Sequence, residues 1–138
     1  MTAMSNYLEN ALINHILRNT SYSTPATNVW IALYTTAQGD SDSGTEVTGG
    51  SYARVRVQGT SAWDAPVLGA GATANTAEIA FTQATASWGT VQAVGIKDSS
   101  TSTGTDNLLL HGALTSNKTV NNGDTFKFNA GDLDVTMA

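Results

Sequence analysis

At 138 residues, the chain is long enough for one domain around a single core, since domains run ~50–250 residues. Only 12% of the residues are charged, about half the usual ~25%, and six basic against eleven acidic side chains leave a net charge of −5. That balance excludes nucleic acid as an expected partner, because phosphates call for a clustered positive field, and the lack of cysteine excludes disulfides and thiolate metal sites.

Thr, Ser, Asn and Gly replace the missing charges, and β-branched Thr suits a pleated, half-exposed strand. No apolar run approaches the ~20 residues that span a bilayer, and the start lacks a basic, then apolar, secretory signal. Synthesis in a cytoplasm and no membrane partner are therefore expected.

In chain order, the first element is a helix over about residues 5–19. Ser5 can cap it, Glu9 falls in the first turn where negative charge is favoured, and Arg18 suits the carbonyl end. At 100° per residue Leu8, Leu12, Ile16 and Ala11 share one face, with Asn10, Asn14 and Arg18 opposite. Tyr7 and Leu17 fall outside that stripe, which points to two packing partners for the helix. A rod of fifteen residues, ~22 Å long, is marginal alone in water and needs a surface to lie on.

After Pro25 the pattern changes to two-residue alternation. Residues 28–36, with Val29-Trp30-Ile31-Ala32-Leu33-Tyr34, are apolar on both faces, as in a central strand covered on both sides. A long Gly-, Ser- and Asp-rich surface loop follows to Ser51. Residues 52–59 then alternate, with Ala53, Val55 and Val57 on one face and Tyr52, Arg54 and Arg56 on the other, half-exposed one. An irregular connection at 62–74 holds Trp63, Pro66, Gly69 and Gly71, and a short strand runs through Ile79 and Phe81.

Four further strands are predicted at 91–97, 107–114, 125–128 and 133–137. The turn Asn129-Ala130-Gly131 predicts a hairpin between the last two, with Gly131 left-handed. The fold class is thus mainly β, a single antiparallel, jelly-roll-like β-sandwich with one N-terminal amphipathic helix. Residues 1–22 form a helical docking segment and 23–138 the β-sandwich domain, with no repeats and no linker.

Candidate chemistry is sparse. His15 and His111 are the only imidazoles, and each reads as a packed side chain, since no nucleophile motif surrounds it. Gly49-Gly50-Ser51-Tyr52-Ala53 lacks the second glycine and the following helix of a nucleophile elbow. Gly69-Ala70-Gly71 lacks the helix that a dinucleotide site requires. Asp40, Asp42 and Glu46 crowd one loop in a way that suits a hard cation, but without EF-hand spacing. Asp132 and Asp134 share a strand face, yet paired-carboxylate catalysis also needs a cleft. These readings predict no enzyme activity, no cofactor and no metal.

Met4-Ser-Asn-Tyr-Leu-Glu-Asn-Ala-Leu-Ile-Asn-His-Ile-Leu-Arg-Asn-Thr20, Ser23-Thr-Pro-Ala26, Trp30-Ile-Ala-Leu-Tyr-Thr-Thr36, Gly49-Gly-Ser-Tyr-Ala-Arg54, Ala84-Thr-Ala-Ser-Trp-Gly-Thr90, Gly95-Ile96, Gly112-Ala-Leu-Thr115 and Ala130-Gly-Asp-Leu-Asp134 together resemble a family of small virion proteins of tailed bacteriophages. Members are often labelled tail-fibre proteins, and related β-sandwich proteins serve as capsid cement or decoration subunits. The resemblance implies a structural protein of the virion, made in the host bacterial cytoplasm, with no catalytic residues to carry over.

The leading expectation is a capsid cement subunit that bridges major capsid proteins. A tail, neck or fibre component is the alternative, and a carbohydrate-binding module with an exposed Trp63 is the third. A homo-oligomer in the particle is expected. The interface residues would be Tyr7, Leu8, Leu12, Ile16 and Leu17 on the helix, Tyr52, Arg54 and Arg56 on the strand face, and Trp63.

Overall fold

A computed structural model describes residues 3–22, 29–67 and 69–137. Within them lie β1 (Ala3–Met4), α1 (Asn6–Arg18), β2 (Trp30–Tyr34), β3 (Val55–Arg56), β4 (Ala72–Ala74), β5 (Ile79–Ala80), β6 (Gly89–Lys97), β7 (Leu108–Val120), β8 (Lys127–Phe128) and β9 (Asp134–Thr136). The boundary expected at residues 22 and 23, with Pro25 beyond it, falls at or outside the edge of the described residues.

The protein is mainly β with one helix, and its strand pairs are antiparallel. Five strands form one sheet in the order β1-β7-β6-β2-β3, while β4 pairs with β9 and β5 with β8 as two-stranded ribbons. Ile79, Phe128 and Val135 of the ribbons share one buried cluster with Ile31, Leu33, Val94 and Ile96 of the sheet. The two ribbons therefore share one core with the five-stranded sheet, in the mainly β, antiparallel fold with one N-terminal helix that the sequence predicts.

Strand β2 sits between β6 and β3, as its two apolar faces require. Ile31 and Leu33 point into the main core, and Ala32 and Tyr34 join Ala93 in a small cluster on the opposite face. Gly95 makes room for the Tyr34 ring there. A Cβ at Gly95 would stand 2.9 Å from Tyr34 Cε2 and 2.8 Å from Leu108 Cδ1, closer than carbon atoms pack.

Three expectations need correction. The strand at 52–59 contracts to Val55–Arg56, because the chain before it is drawn towards Glu46. The strand at 107–114 runs on to Val120, where Thr90 and Thr119 pair and their hydroxyls lie 2.9 Å apart. The 129–131 turn forms with Gly131 at φ 81°, but β8 and β9 do not pair with each other.

Asn75 explains the last difference. Its Nδ2 donates to the Asn129 carbonyl (2.8 Å), its Oδ1 accepts from Leu133 N–H (2.8 Å), and its own carbonyl accepts from Gly131 N–H (2.8 Å). A buried amide thus occupies the inside of the turn, so the two strands splay to different partners.

Candidate functional site

The helix forms where its local signals place it. Ser5 Oγ accepts from Leu8 N–H (3.2 Å), and Asn19 closes the C-terminus in the left-handed region at φ 51°. Ser5 also ties the helix to the sheet, its N–H donating to the Leu109 carbonyl (2.9 Å) and its hydroxyl to that of Leu108. Leu8 is buried in the main core, and Leu12 packs half-buried against it.

The opposite side of α1 remains uncovered among the described residues. Ile13, Ile16 and Leu17 are 53%, 72% and 77% exposed, and Tyr7 is 40% exposed. At 100° per residue the three aliphatic side chains occupy an arc of about 100°, the i, i+3, i+4 stripe that a packed helix face requires. Thus of the residues expected to dock, Ile16, Leu17 and Tyr7 are available, whereas Leu8 is not and Leu12 is largely taken up inside. Ile13 belongs to the exposed stripe and is missing from the sequence-based set. Its spacing to Ile16 and Leu17 is the signal that identifies it.

The expected strand-face residues divide in the same way. Arg56 is exposed on β3, Tyr52 is half-buried, and Arg54 is only 5% exposed. The reason is a buried charge network on the sheet face opposite the main core. Arg54 Nε and Nη2 donate to the two carboxylate oxygens of Glu46 (2.7 and 2.6 Å), Nη2 also to Asp106 Oδ2 (2.9 Å), and Nη1 to the Ser99 carbonyl (2.8 Å). Lys97, at the end of β6, reaches the same Asp106 oxygen at 2.9 Å and also pairs with Asp42.

Burial alone would disfavour the charge on Asp106, but hydrogen bonds and positive charge from Lys97 and Arg54 outweigh it and bring its carboxyl down to about 2. Burial likewise opposes the Arg54 charge, and Glu46 and Asp106 override it, raising its pKa further. Tyr52 donates to Glu46 (3.0 Å) and accepts from Leu33 N–H (2.9 Å), and its hydroxyl is pushed well above the ordinary range by burial and by Glu46.

The acidic loop is accounted for by the same network. Glu46 serves Arg54, Asp42 serves Lys97 and Gln38, and Asp40 Oδ1 lies 2.8 Å from Nε2 of buried His111. The three carboxylates that suited a cation in the sequence are each in contact with a side chain of the chain itself, and among the described residues no group of His, Asp and Glu is arranged to hold a metal. His15 is exposed and accepts from Tyr22 N–H (3.3 Å) at the exit of the helix.

Trp63 is half-buried, and its Nε1 donates to the Val57 carbonyl (3.1 Å), so its indole is held as a structural anchor of the 62–74 segment. Ser51 lies in a tight turn with Gly49 and Gly50, all at positive φ, and its hydroxyl meets that of Thr85 at 2.8 Å. Gly71 accepts Met137 N–H at the end of the β4–β9 ribbon.

An open groove of about 660 Å³ lies beside the second half of β7, lined among others by Leu114, Lys118, Asp124, Phe128, Asp132 and Asp134. Asp132, just before β9, and Asp134, its first residue, thus do border a cleft. Asp132 Oδ2 is engaged there by Asn129 N–H and Nδ2 (both 2.8 Å), and no histidine lines it.

Residues 3–136 match the family model described as Podophage GP4 fiber I protein gp80. No curated protein matches the chain.

Proposed function

The chain belongs to the podophage GP4 fiber I protein gp80 family, and we propose that it is an accessory subunit of the phage tail or fibre, seated on a neighbouring virion protein through Ile13, Ile16 and Leu17 of α1. Its family membership makes it a small structural protein of the phage particle, as its motifs imply. The observation that carries the docking role is the exposed stripe on a helix whose other side is already built into the core. Burying three such aliphatic side chains contributes ~1.5–3 kcal/mol each, before the cost of ordering the contact. Summed over many copies, that is a structural role, and we propose no catalytic one.

The family description favours the tail or fibre. A capsid cement role is the second reading, supported by the short, repeat-free β domain without coiled-coil heptads. In either place the partner is another structural protein of the same particle.

The test is imaging of particles carrying a tagged copy, together with a copy-number measurement. A tail location with on the order of tens of copies in a symmetric multiple is expected. Hundreds of copies spread over the head would overturn the tail reading in favour of cement. Retention of an Ile13→Asp, Leu17→Asp double variant on the particle would overturn the docking role.

A further inference from the structure

The groove beside β7 exists because two elements part from their neighbours. On one wall β7 bulges against β6: Val91 pairs with Lys118 and Ala93 with Ala113, so Gln92 alone stands opposite residues 114–117. Bulges re-aim side chains and recur beside functional sites. On the other wall, β8 and β9 splay around Asn75 to pair with β5 and β4. Phe126, Phe128 and Leu133, buried in the core, line the space between the walls and give it an apolar floor.

Around that floor stand polar groups that the fold leaves unused. Asp134 makes no hydrogen bond or ion pair among the described residues, and neither do the hydroxyls of Thr115 and Ser116 or the ammonium of Lys118. Asp124 and Asp132 each hold a turn through Oδ2 alone, which leaves Oδ1 open.

Charge narrows the ligand. The three carboxylates share the lining with two ammonium groups, Lys118 and Lys127, and Lys127 is already paired with Glu78 at 2.8 Å. A polyanion would be repelled by the carboxylates, and a polycation would meet Lys118 on the β7 wall. The lining suits an uncharged ligand whose hydroxyls both donate and accept and whose C–H faces can lie on an apolar floor. A neutral saccharide has that chemistry. At about 660 Å³ the groove falls in the ~300–1,000 Å³ range of small-ligand sites, and its open form lets a glycan chain run on beyond it.

We propose that this groove binds a short segment of a neutral oligosaccharide. Asp134 and the open oxygens of Asp124 and Asp132 accept from sugar hydroxyls, while Lys118, Thr115 and Ser116 donate to them from the β7 wall. The place is distinct from Trp63, whose indole is held by the Val57 carbonyl, and from the exposed stripe of α1. Hydrogen bonds to charged groups are the strong ones here. An open groove leaves much of the ligand in water, so the affinity is modest, with Kd on the order of 1 mM.

The test is an NMR titration of the isotope-labelled, full-length chain with neutral trisaccharides of glucose, galactose, mannose and N-acetylglucosamine, each up to about 20 mM. At least one should shift the amides of 113–119 and 124–134 saturably, and with the same affinity in about 0.5 M NaCl, since no net charge is exchanged. Asp134→Ala and Lys118→Ala, both at exposed side chains, should each weaken binding about tenfold with Tm unchanged. Asp64→Ala, at an exposed carboxylate outside the groove, should leave binding as it is. Silence with all four sugars, shifts centred on Trp63, undiminished binding by Asp134→Ala, or tighter binding of tetralysine that salt abolishes would overturn the proposal. The Ile13→Asp, Leu17→Asp variant should bind sugar like the unmodified chain, so failure here is distinct from failure of the docking role of α1.

Discussion

Arg54 and Lys97 meet on one oxygen, Asp106 Oδ2, which lies 2.9 Å from Arg54 Nη2 and 2.9 Å from Lys97 Nζ. The two cations flank β2, and Asp106 comes from the 98–107 connection, so a single carboxylate fastens that loop to two parts of the sheet. Removing one partner of a buried ion network leaves the rest uncompensated. Asp106→Asn is expected to cost about 3–5 kcal/mol, lowering Tm by roughly 10–20 °C in thermal unfolding.

Acid should act through the same group. The Asp106 carboxyl is held at about 2 against an ordinary 3.8, so the folded state binds its proton more weakly than the unfolded chain does. Its contribution is complete above the ordinary value and fades as pH falls from about 4 to 2, an effect of about 2 kcal/mol. Denaturant titrations across that window should show the loss, and Asp106→Asn should remove this part of the slope.

Alkali should act through the tyrosines. Burial, then the nearby carboxylates, push Tyr34 and Tyr52 above the ordinary value of 10.0. A group whose folded pKa is raised contributes stability below its unfolded value, and this is lost as pH rises beyond it. Tyrosinate absorbance of the folded protein should therefore lack these two residues just above pH 10, and their signal should appear together with unfolding. Tyr52→Phe should abolish the Tyr52 part of that signal.

How much of this was legible in the sequence depends on how local the cause is. The helix declares itself through Ser5, Glu9 and the Leu8–Leu12 spacing, all within a few turns, and β2 through apolar residues on both faces. Alternation assigns Arg54 to a polar, half-exposed face, whereas its partners Glu46, Ser99 and Asp106 arrive from two loops and bury it. The 129–131 turn was readable and its strand pairing was not, since Asn75 intrudes from more than fifty residues away. The helix stripe was half-read: the pattern gives an apolar face, but only the packing of Leu8 against the sheet decides which apolar residues are left over.

Asn75 is the most economical place to test that pairing. Its side chain makes hydrogen bonds to Ala77, Asn129 and Leu133, and it is 1% exposed. Asn75→Ala should destabilise the protein by about 2–4 kcal/mol, at ~1 kcal/mol per bond with added cost for the groups left unsatisfied. Hydrogen exchange should show β9, Asp134–Thr136, losing protection ahead of β6.

The two sides of α1 should separate cleanly. Leu8→Ala, inside the core, should cost about 2–5 kcal/mol. Leu17→Ala, 77% exposed, should change the unfolding free energy by less than ~0.5 kcal/mol. Measured by urea titration of the isolated chain, this contrast fixes which substitutions can be used to interrogate assembly.

The attachment of Ser5 to Leu108 and Leu109 also imposes an order in time. The helix cannot find its seat until a stretch more than a hundred residues downstream has been made, since Ser5 and Leu108 are 103 positions apart. At ~5–20 residues per second of synthesis, the amphipathic segment waits about 5–20 s with its sheet-facing leucines still unmatched. Only after β7 emerges is Leu8 withdrawn and the Ile13–Leu17 side left as the apolar surface on display, so a nascent chain presents a different face from a finished one.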